Sequence, residues 1–175
     1  ALLLEPSRSN LITYSQDFSN AAWIKTRSTV NSSSVISPDG TLNANKLTEN
    51  TDNNYHELRN AGISQTSGLN YTASVFVKYN GRDVQFITYD GNVNLTSSFD
   101  LNLGTVLSGV GNIKNYGNGW YQISQSYTAT STATNNYAFG IYPSIGTNIS
   151  YQGDGISGVY IFGAQLEQGS YPTSY

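Results

Sequence analysis

The sequence predicts an all-β chain folded as a two-sheet antiparallel sandwich, on three observations. Apolar and polar residues alternate with period two in one run after another, and helical spacing is not sustained beyond about two turns. The runs are punctuated by Gly, Asn, Asp and Ser, which set turns. The 38% of hydrophobic residues are mostly Val, Ile, Leu, Phe and 14 Tyr, types that suit a pleated, half-buried surface. No strand–helix–strand rhythm runs through the chain, so a doubly wound parallel sheet is excluded.

Taken in order, residues 11–14, 30–36 and 42–47 read as short, weak strands, and only residues 18–24 could hold a helical turn. Pro38-Asp39-Gly40 is a turn between strands, not a boundary. Residues 71–79 are the clearest strand: Tyr71, Ala73, Val75, Val77 and Tyr79 point one way, Thr72, Ser74, Phe76 and Lys78 the other. After Asn80-Gly81-Arg82-Asp83, residues 84–89 set Val84 and Phe86 against Gln85, Ile87 and Tyr89, and the two runs are expected to pair as a hairpin. Residues 98–106 form a second hairpin about Asn102-Leu103-Gly104, where Gly is free to take positive φ. Residues 113–116 and 120–127 form a third about Gly117-Asn118-Gly119, with Gln122, Ser124 and Ser126 on the polar face. Residues 137–142 and 158–166 complete the set, and 131–136 and 144–155 read as loops. About nine or ten strands result, with no fixed-period repeat and no linker, so residues 1–175 are expected to form a single domain.

Composition narrows the function. Charged residues are only 11%, against about a quarter in ordinary soluble domains, so the surface carries hydroxyls and amides instead. The net charge of −3 and eight scattered Lys and Arg give no footprint for phosphate backbones, which argues against nucleic acid. Cys is absent, which removes disulfides, zinc–thiolate sites and a Cys nucleophile. Met is absent too, so the chain is expected to be processed or excised from a longer protein. No apolar run approaches the roughly 20 residues that cross a bilayer, and residues 1–4 are too short for a signal-peptide core, so no membrane insertion is expected.

Several segments carry a resemblance. Leu3-Leu4-Glu5-Pro6-Ser7-Arg8-Ser9-Asn10-Leu11, Asp17-Phe18-Ser19-Asn20-Ala21-Ala22-Trp23 and Phe162-Gly163-Ala164-Gln165-Leu166-Glu167-Gln168-Gly169 resemble phage tail-fibre and head-spike domains related to carbohydrate-binding modules. Ser37-Pro38-Asp39-Gly40-Thr41, residues 71–78 and Gly117-Asn118-Gly119-Trp120-Tyr121 fit the same pattern, in the same order. The resemblance implies a jelly-roll of the concanavalin or galactose-binding kind, with one convex and one concave sheet, borne on a virion surface or on an extracellular polysaccharide-directed protein. It allows an oligomer in the parent fibre. It also allows a structural calcium near the first and last strands, with Asp17 and Glu167 as candidate ligands. No other cofactor is implied.

Sugar binding needs flat aromatic surface for pyranose faces and polar groups for hydroxyls. If the apolar faces of the central strands form the core, their opposite faces bring Phe76, Lys78, Gln85, Tyr89, Gln122, Ser124 and Tyr142 to the concave sheet as a ligand face. The same residues also suit the solvated side of a sandwich. Phe76 breaks the polar side of its strand, either as a stacking platform or as a second packing layer under a loop. Trp23 and Trp120 read as core or edge packing. His56, the single histidine, reads as a buried or rim hydrogen-bonding group, or as a ligand contact at the groove edge. The 11 acidic residues show no glycosidase spacing, and no nucleophile elbow, zinc helix or phosphate loop occurs, so no catalytic residue is assigned. The expected function is a non-catalytic carbohydrate-binding module. Two alternatives stay open: a structural or decoration domain of a virion fibre, and a polysaccharide-degrading domain.

Overall fold

The computed structural model describes residues 5–137 and 139–175. The Leu3-Leu4 start of the first motif, residues 1–4 and Ala138 of the expected strand 137–142 lie outside the described residues. Two six-stranded antiparallel sheets pack face to face. The first, called here the groove sheet, runs β1 (Trp23–Thr26), β5 (Glu57–Asn60), β14 (Phe139–Ser144), β8 (Asp83–Tyr89), β9 (Asn94–Asp100), β10 (Thr105–Ser108). The second, the strap sheet, runs β11 (Asn112–Gly117), β12 (Trp120–Thr128), β7 (Asn70–Asn80), β16 (Gly158–Gln168), β3 (Ala44–Glu49), β2 (Ser28–Val35). Two small pairs flank them: β4 (Asn53–Tyr55) with β15 (Ser150–Gln152), and β6 (Ile63–Gln65) with β13 (Ala133–Asn136).

Alternation explains the core. Val75 and Val77 of β7 and Ile123 of β12 face Phe86 of β8 and Ile141 of β14, all fully buried between the sheets. At one end Trp23 packs on Phe18 at 4.8 Å and on Phe139 at 5.8 Å between ring centres. A polar strut crosses the core: Gln125 of β12 donates to Thr88 Oγ1 (2.6 Å) and the Leu95 carbonyl (2.9 Å), and accepts from Ser97 Oγ. Such a buried amide costs little because its donors and acceptors are all engaged. Outside the strap sheet lies a second apolar cluster of Ala44, Phe76, Trp120 and Phe162.

The structure corrects several expectations. The runs 71–79 and 84–89 do not pair: β7 lies between β12 and β16, and β8 lies between β14 and β9 in the other sheet. The turn between them crosses the sandwich edge at Gly81, whose φ of 90° no side-chain-bearing residue adopts readily. Residues 18–24 form turns leading into β1, not a helical turn, and no helix occurs among the described residues. Residues 11–14 form no strand; they run beside β16, where Leu11 N donates to the Leu166 carbonyl and Ala164 N to the Ser15 carbonyl. Asn10 fixes this strap by donating to the Ala164 carbonyl and accepting from Leu166 N, both at 3.0 Å. Gly163, at φ 58°, sits in the register shift of β16 that admits it. The expected loops 131–136 and 144–155 contain β13 and β15. The hairpins β9–β10 and β11–β12 form as expected.

Candidate functional site

On the outer face of the groove sheet, side chains facing away from the core converge on a groove of about 330 Å³. That size is within the usual range for small-ligand clefts. The alternation Tyr55-His56-Glu57-Leu58-Arg59 builds its floor: Leu58 enters the core, while Glu57 and Arg59 point outward. Tyr142 of β14, Asn94 of β9 and Tyr137 complete the polar and aromatic lining. Ile87, outward on β8, adds an apolar patch.

The polar groups hold one another in place. Tyr142 donates its hydroxyl to Glu57 Oε1 at 2.5 Å, and Thr26 donates to Glu57 Oε2 at 3.0 Å. Arg59 Nε stands 3.9 Å from Glu57 Oε1. Glu57 is thus buried with both oxygens engaged, while the Arg59 side chain keeps 38% of its exposure. Burial, with the Glu57 carboxylate next, pushes the Tyr142 hydroxyl far above the ordinary tyrosine pKa, so it stays protonated. Burial likewise raises Tyr137. The rings are braced as well: Tyr55 lies 6.3 Å from Tyr142, Tyr137 stacks on Tyr89 at 5.2 Å and 27°, and the Tyr137 hydroxyl donates to Asn94 Oδ1. Arg27 caps Tyr55 at 4.6 Å and Arg59 lies 5.6 Å from the Tyr137 ring centre. Rigid tyrosines beside a guanidinium can stack a sugar ring and hydrogen-bond its hydroxyls.

The residues expected to share one ligand face are divided between the two outer faces. Gln85, Tyr89 and Tyr142 lie on the groove sheet. Tyr142 lines the groove, Tyr89 braces Tyr137, and Gln85 is buried, donating to Ser98 Oγ (2.9 Å) and the Thr147 carbonyl (3.3 Å). Phe76, Lys78 and Gln122, with Ser124, lie on the strap sheet, on the opposite side. Phe76 is only 4% exposed, beneath Tyr116 and Phe162, so it is a packing layer and not a platform. Lys78 donates to the Asn118 carbonyl at 2.7 Å, and Gln122 accepts from Tyr116 at 3.3 Å. Both tryptophans are buried, their indole N–H groups donating to the Tyr14 and Ile36 carbonyls.

His56 is fully buried against Tyr151, 5.1 Å between ring centres, and does not line the groove. Of the calcium candidates, Asp17 is exposed and accepts from Ser19 at 2.5 Å, while Glu167 is buried with its carboxylate engaged by Thr173 N at 2.9 Å and the Thr173 hydroxyl. Sequence reasoning missed Tyr55, Arg59, Asn94 and Tyr137 as lining residues, and did not single out Glu57 as one. An alternation over residues 55–59, with Tyr55, Glu57 and Arg59 on one side, was the signal that could have found three of these five.

No protein-family model matches the chain, and no curated protein matches it in sequence. Among solved structures it is similar to the enzymatically active domain of tailspike protein 4 of bacteriophage CBA120, with 13% identity and a TM-score of 0.56 over 91% of this chain and 21% of that one. It is similar to the CBM22-2 xylan-binding domain of Paenibacillus barcinonensis Xyn10C, with 10% identity and a TM-score of 0.53 over 93% and 99% of the two chains. It is also similar to the CBM22-1–GH10 modules of Clostridium thermocellum endo-1,4-beta-D-xylanase 10B, with 12% identity and a TM-score of 0.50 over 96% and 29%. The chain thus spans about a fifth of the tailspike and under a third of the xylanase. At these identities the likeness is one of fold.

Proposed function

We propose that the chain is a non-catalytic carbohydrate-binding module whose glycan lies along the groove of Tyr55, Tyr137 and Tyr142, with Arg59 and Asn94 donating to its hydroxyls. The observation that carries this reading is the bracing of the tyrosines: their rings are held by Arg27, Tyr89 and Glu57 before any ligand arrives, so little ordering cost falls on binding. A binding role fits better than hydrolysis, because Glu57 is the one carboxylate among the described lining residues and both its oxygens are engaged. The same fold in a xylan-binding domain and in a phage tailspike accords with this reading and with a place on a virion or a secreted polysaccharide-directed protein.

One observation favours a second reading, a fibre-stabilising domain. Leu103, Val106, Leu107 and Val110 are exposed within one short stretch at the β10 edge, as a protein contact would require.

Affinity electrophoresis against a polysaccharide panel separates the two. Tyr55→Ala and Tyr137→Ala are each expected to weaken binding by about 1–2 kcal/mol, roughly five- to thirty-fold, with the fold intact. No retardation by any polysaccharide, together with concentration-dependent self-association that Val106→Asp abolishes, would replace the glycan reading with the structural one.

A further inference from the structure

The strap sheet carries a second hollow surface on the opposite side of the sandwich. Depressions of about 520, 390 and 190 Å³ meet there, and all three share one wall residue, Tyr116. Tyr116 belongs to the edge strand β11, yet its ring stands edge-to-face on Phe76 (4.9 Å, 87°) and its hydroxyl reaches Gln122 on β12. The ring therefore leans over the sheet while 43% of the residue remains exposed. Phe76 is in turn fixed by Phe162, which Tyr175 covers at 5.3 Å. This is an aromatic platform with a rigid backing.

The groups around it are those that read hydroxyls. Asn112, Lys114 and Ser124 line the largest hollow together with Thr173, Ser174 and Glu5, whose carboxylate accepts from the Ser174 N–H (2.9 Å) and hydroxyl (3.1 Å). Lys78 and Asn118 line the next, where Trp120 forms the floor. In the largest hollow, opposite charges with the amides of Asn112 and Gln122 and several hydroxyls suit a polar, largely neutral ligand. A protein partner would require an apolar anchor patch, whereas Ile36 is the one exposed aliphatic residue on these walls and none of the exposed cluster 103–110 lines them.

We infer that the Tyr116 surface is a second carbohydrate site, taking an oligosaccharide of several units across the Tyr116 ring, so that one chain holds two glycans on opposite faces. The site stands on its own geometry; the simultaneous occupancy of both faces rests on the groove reading as well. Two sites facing opposite ways make a monomer a cross-linker of polysaccharide chains, with a gain in avidity on a dense glycan surface.

The test is calorimetric titration of the intact chain with xylohexaose, cellohexaose, mannohexaose and a hexauronate, followed by turbidity on mixing with the matching polysaccharide. Wild type should bind two oligosaccharides per chain and produce turbidity. Tyr116→Ala, and independently Ser124→Arg, which fills the largest hollow from its other wall, should each bind one with the groove affinity unchanged within about twofold and produce no turbidity. Tyr137→Ala should weaken the other site about five- to thirty-fold, out of the calorimetric range, and leave the Tyr116 site intact. A stoichiometry of one in wild type that Tyr137→Ala abolishes and Tyr116→Ala leaves unchanged overturns the second site and keeps the groove. A stoichiometry of one that Tyr116→Ala abolishes and Tyr137→Ala leaves unchanged keeps the inferred site and overturns the groove. No binding at millimolar oligosaccharide overturns both.

Discussion

His56 shows what one buried side chain imposes on the molecule. Its ring is enclosed by Tyr151 and by the close approach of Gly153, where a Cβ would lie 2.9 Å from Nε2. Neither ring nitrogen has an aligned hydrogen-bond partner, although the Asn50 carbonyl is near enough to act on it. Burial holds its pKa below the ordinary 6.5, against the upward pull of Glu49, the Asn50 carbonyl and Asp52 and with a smaller downward push from Arg27. Below pH 6.5 the unfolded chain therefore takes up a proton that the folded chain refuses. Stability should be level above about pH 6.5 and should fall as pH drops from there towards the folded pKa. Asp39 and Asp154, whose carboxyls are held low chiefly by hydrogen bonds from Ser37 and Ser157, act in a separate window, losing their contribution only as pH falls below the ordinary carboxylate range near 3.8. Urea midpoints between pH 7.5 and 5 should thus decline for wild type and flatten for His56→Gln. An unchanged slope in the variant would mean that another group titrates. At this scale the sequence was informative about type and poor about surroundings. A lone His flanked by Tyr and Glu reads as buried or rim-lying, but nothing local says that Tyr151, almost a hundred residues on, closes over it.

Between elements, the decisive contact is a buried ion pair. Glu49 at the end of β3 accepts from Arg82 Nη2 (2.6 Å) and Asp154 N (2.9 Å) through Oε1, and from Arg82 Nε (2.9 Å) and the Tyr151 hydroxyl (2.7 Å) through Oε2. Its side chain has no exposure, and every lone pair facing the protein has a donor. The cluster ties β3 of the strap sheet to the crossing turn before β8 and to β15, and β15 pairs with β4, whose last residue is Tyr55 of the groove. Removing one partner of a buried pair costs about 3–5 kcal/mol when the other charge is left uncompensated. Here Arg82 keeps only one more distant carboxylate, Asp154 Oδ2, at 3.3 Å and half exposed, so the loss belongs at the low end of that range. Glu49→Ala should therefore lower the unfolding free energy by that order in denaturant titration, and the variant's remaining folded fraction should bind glycan more weakly because Tyr55 loses its support. A loss below about 1 kcal/mol would show that Arg82 finds solvent at no cost. The hairpins β9–β10 and β11–β12 were legible because Gly104 and Gly117-Asn118-Gly119 mark tight turns between alternating runs. The pairs β4–β15 and β6–β13 were not, since strands of three or four residues give too few alternations to detect.

At the scale of the molecule, period-two alternation tells which residues leave the core but not on which side they emerge. Phe76 and Tyr142 both oppose apolar neighbours in their strands, and only the strand order sends them to opposite faces. That order is non-local: β7 is flanked by β12 and β16, and β5 pairs with β14, from the last third of the chain. The run 71–89 reads as a local hairpin because turn chemistry at Asn80-Gly81 suits one, whereas both strands bury an apolar face and are more stable facing each other across the core. The two arrangements differ in a measurable way. In a hairpin topology, residues 1–108 would contain complete pairs for both β7 and β8 and would retain a folded half-sandwich. In the observed topology, a chain cut after Ser108 strips both neighbours from β7 and one each from β5 and β8, exposing Val75, Val77 and Phe86 to water. The fragment should show no dispersed amide spectrum and no cooperative thermal transition, and the intact chain should refold in milliseconds to seconds, as topologies dominated by distant pairings do. A cooperatively folding fragment would mean that β7 and β8 can pair without the C-terminal strands, and would make the face assignment of Phe76 and Tyr142 a matter of the last third of the chain alone.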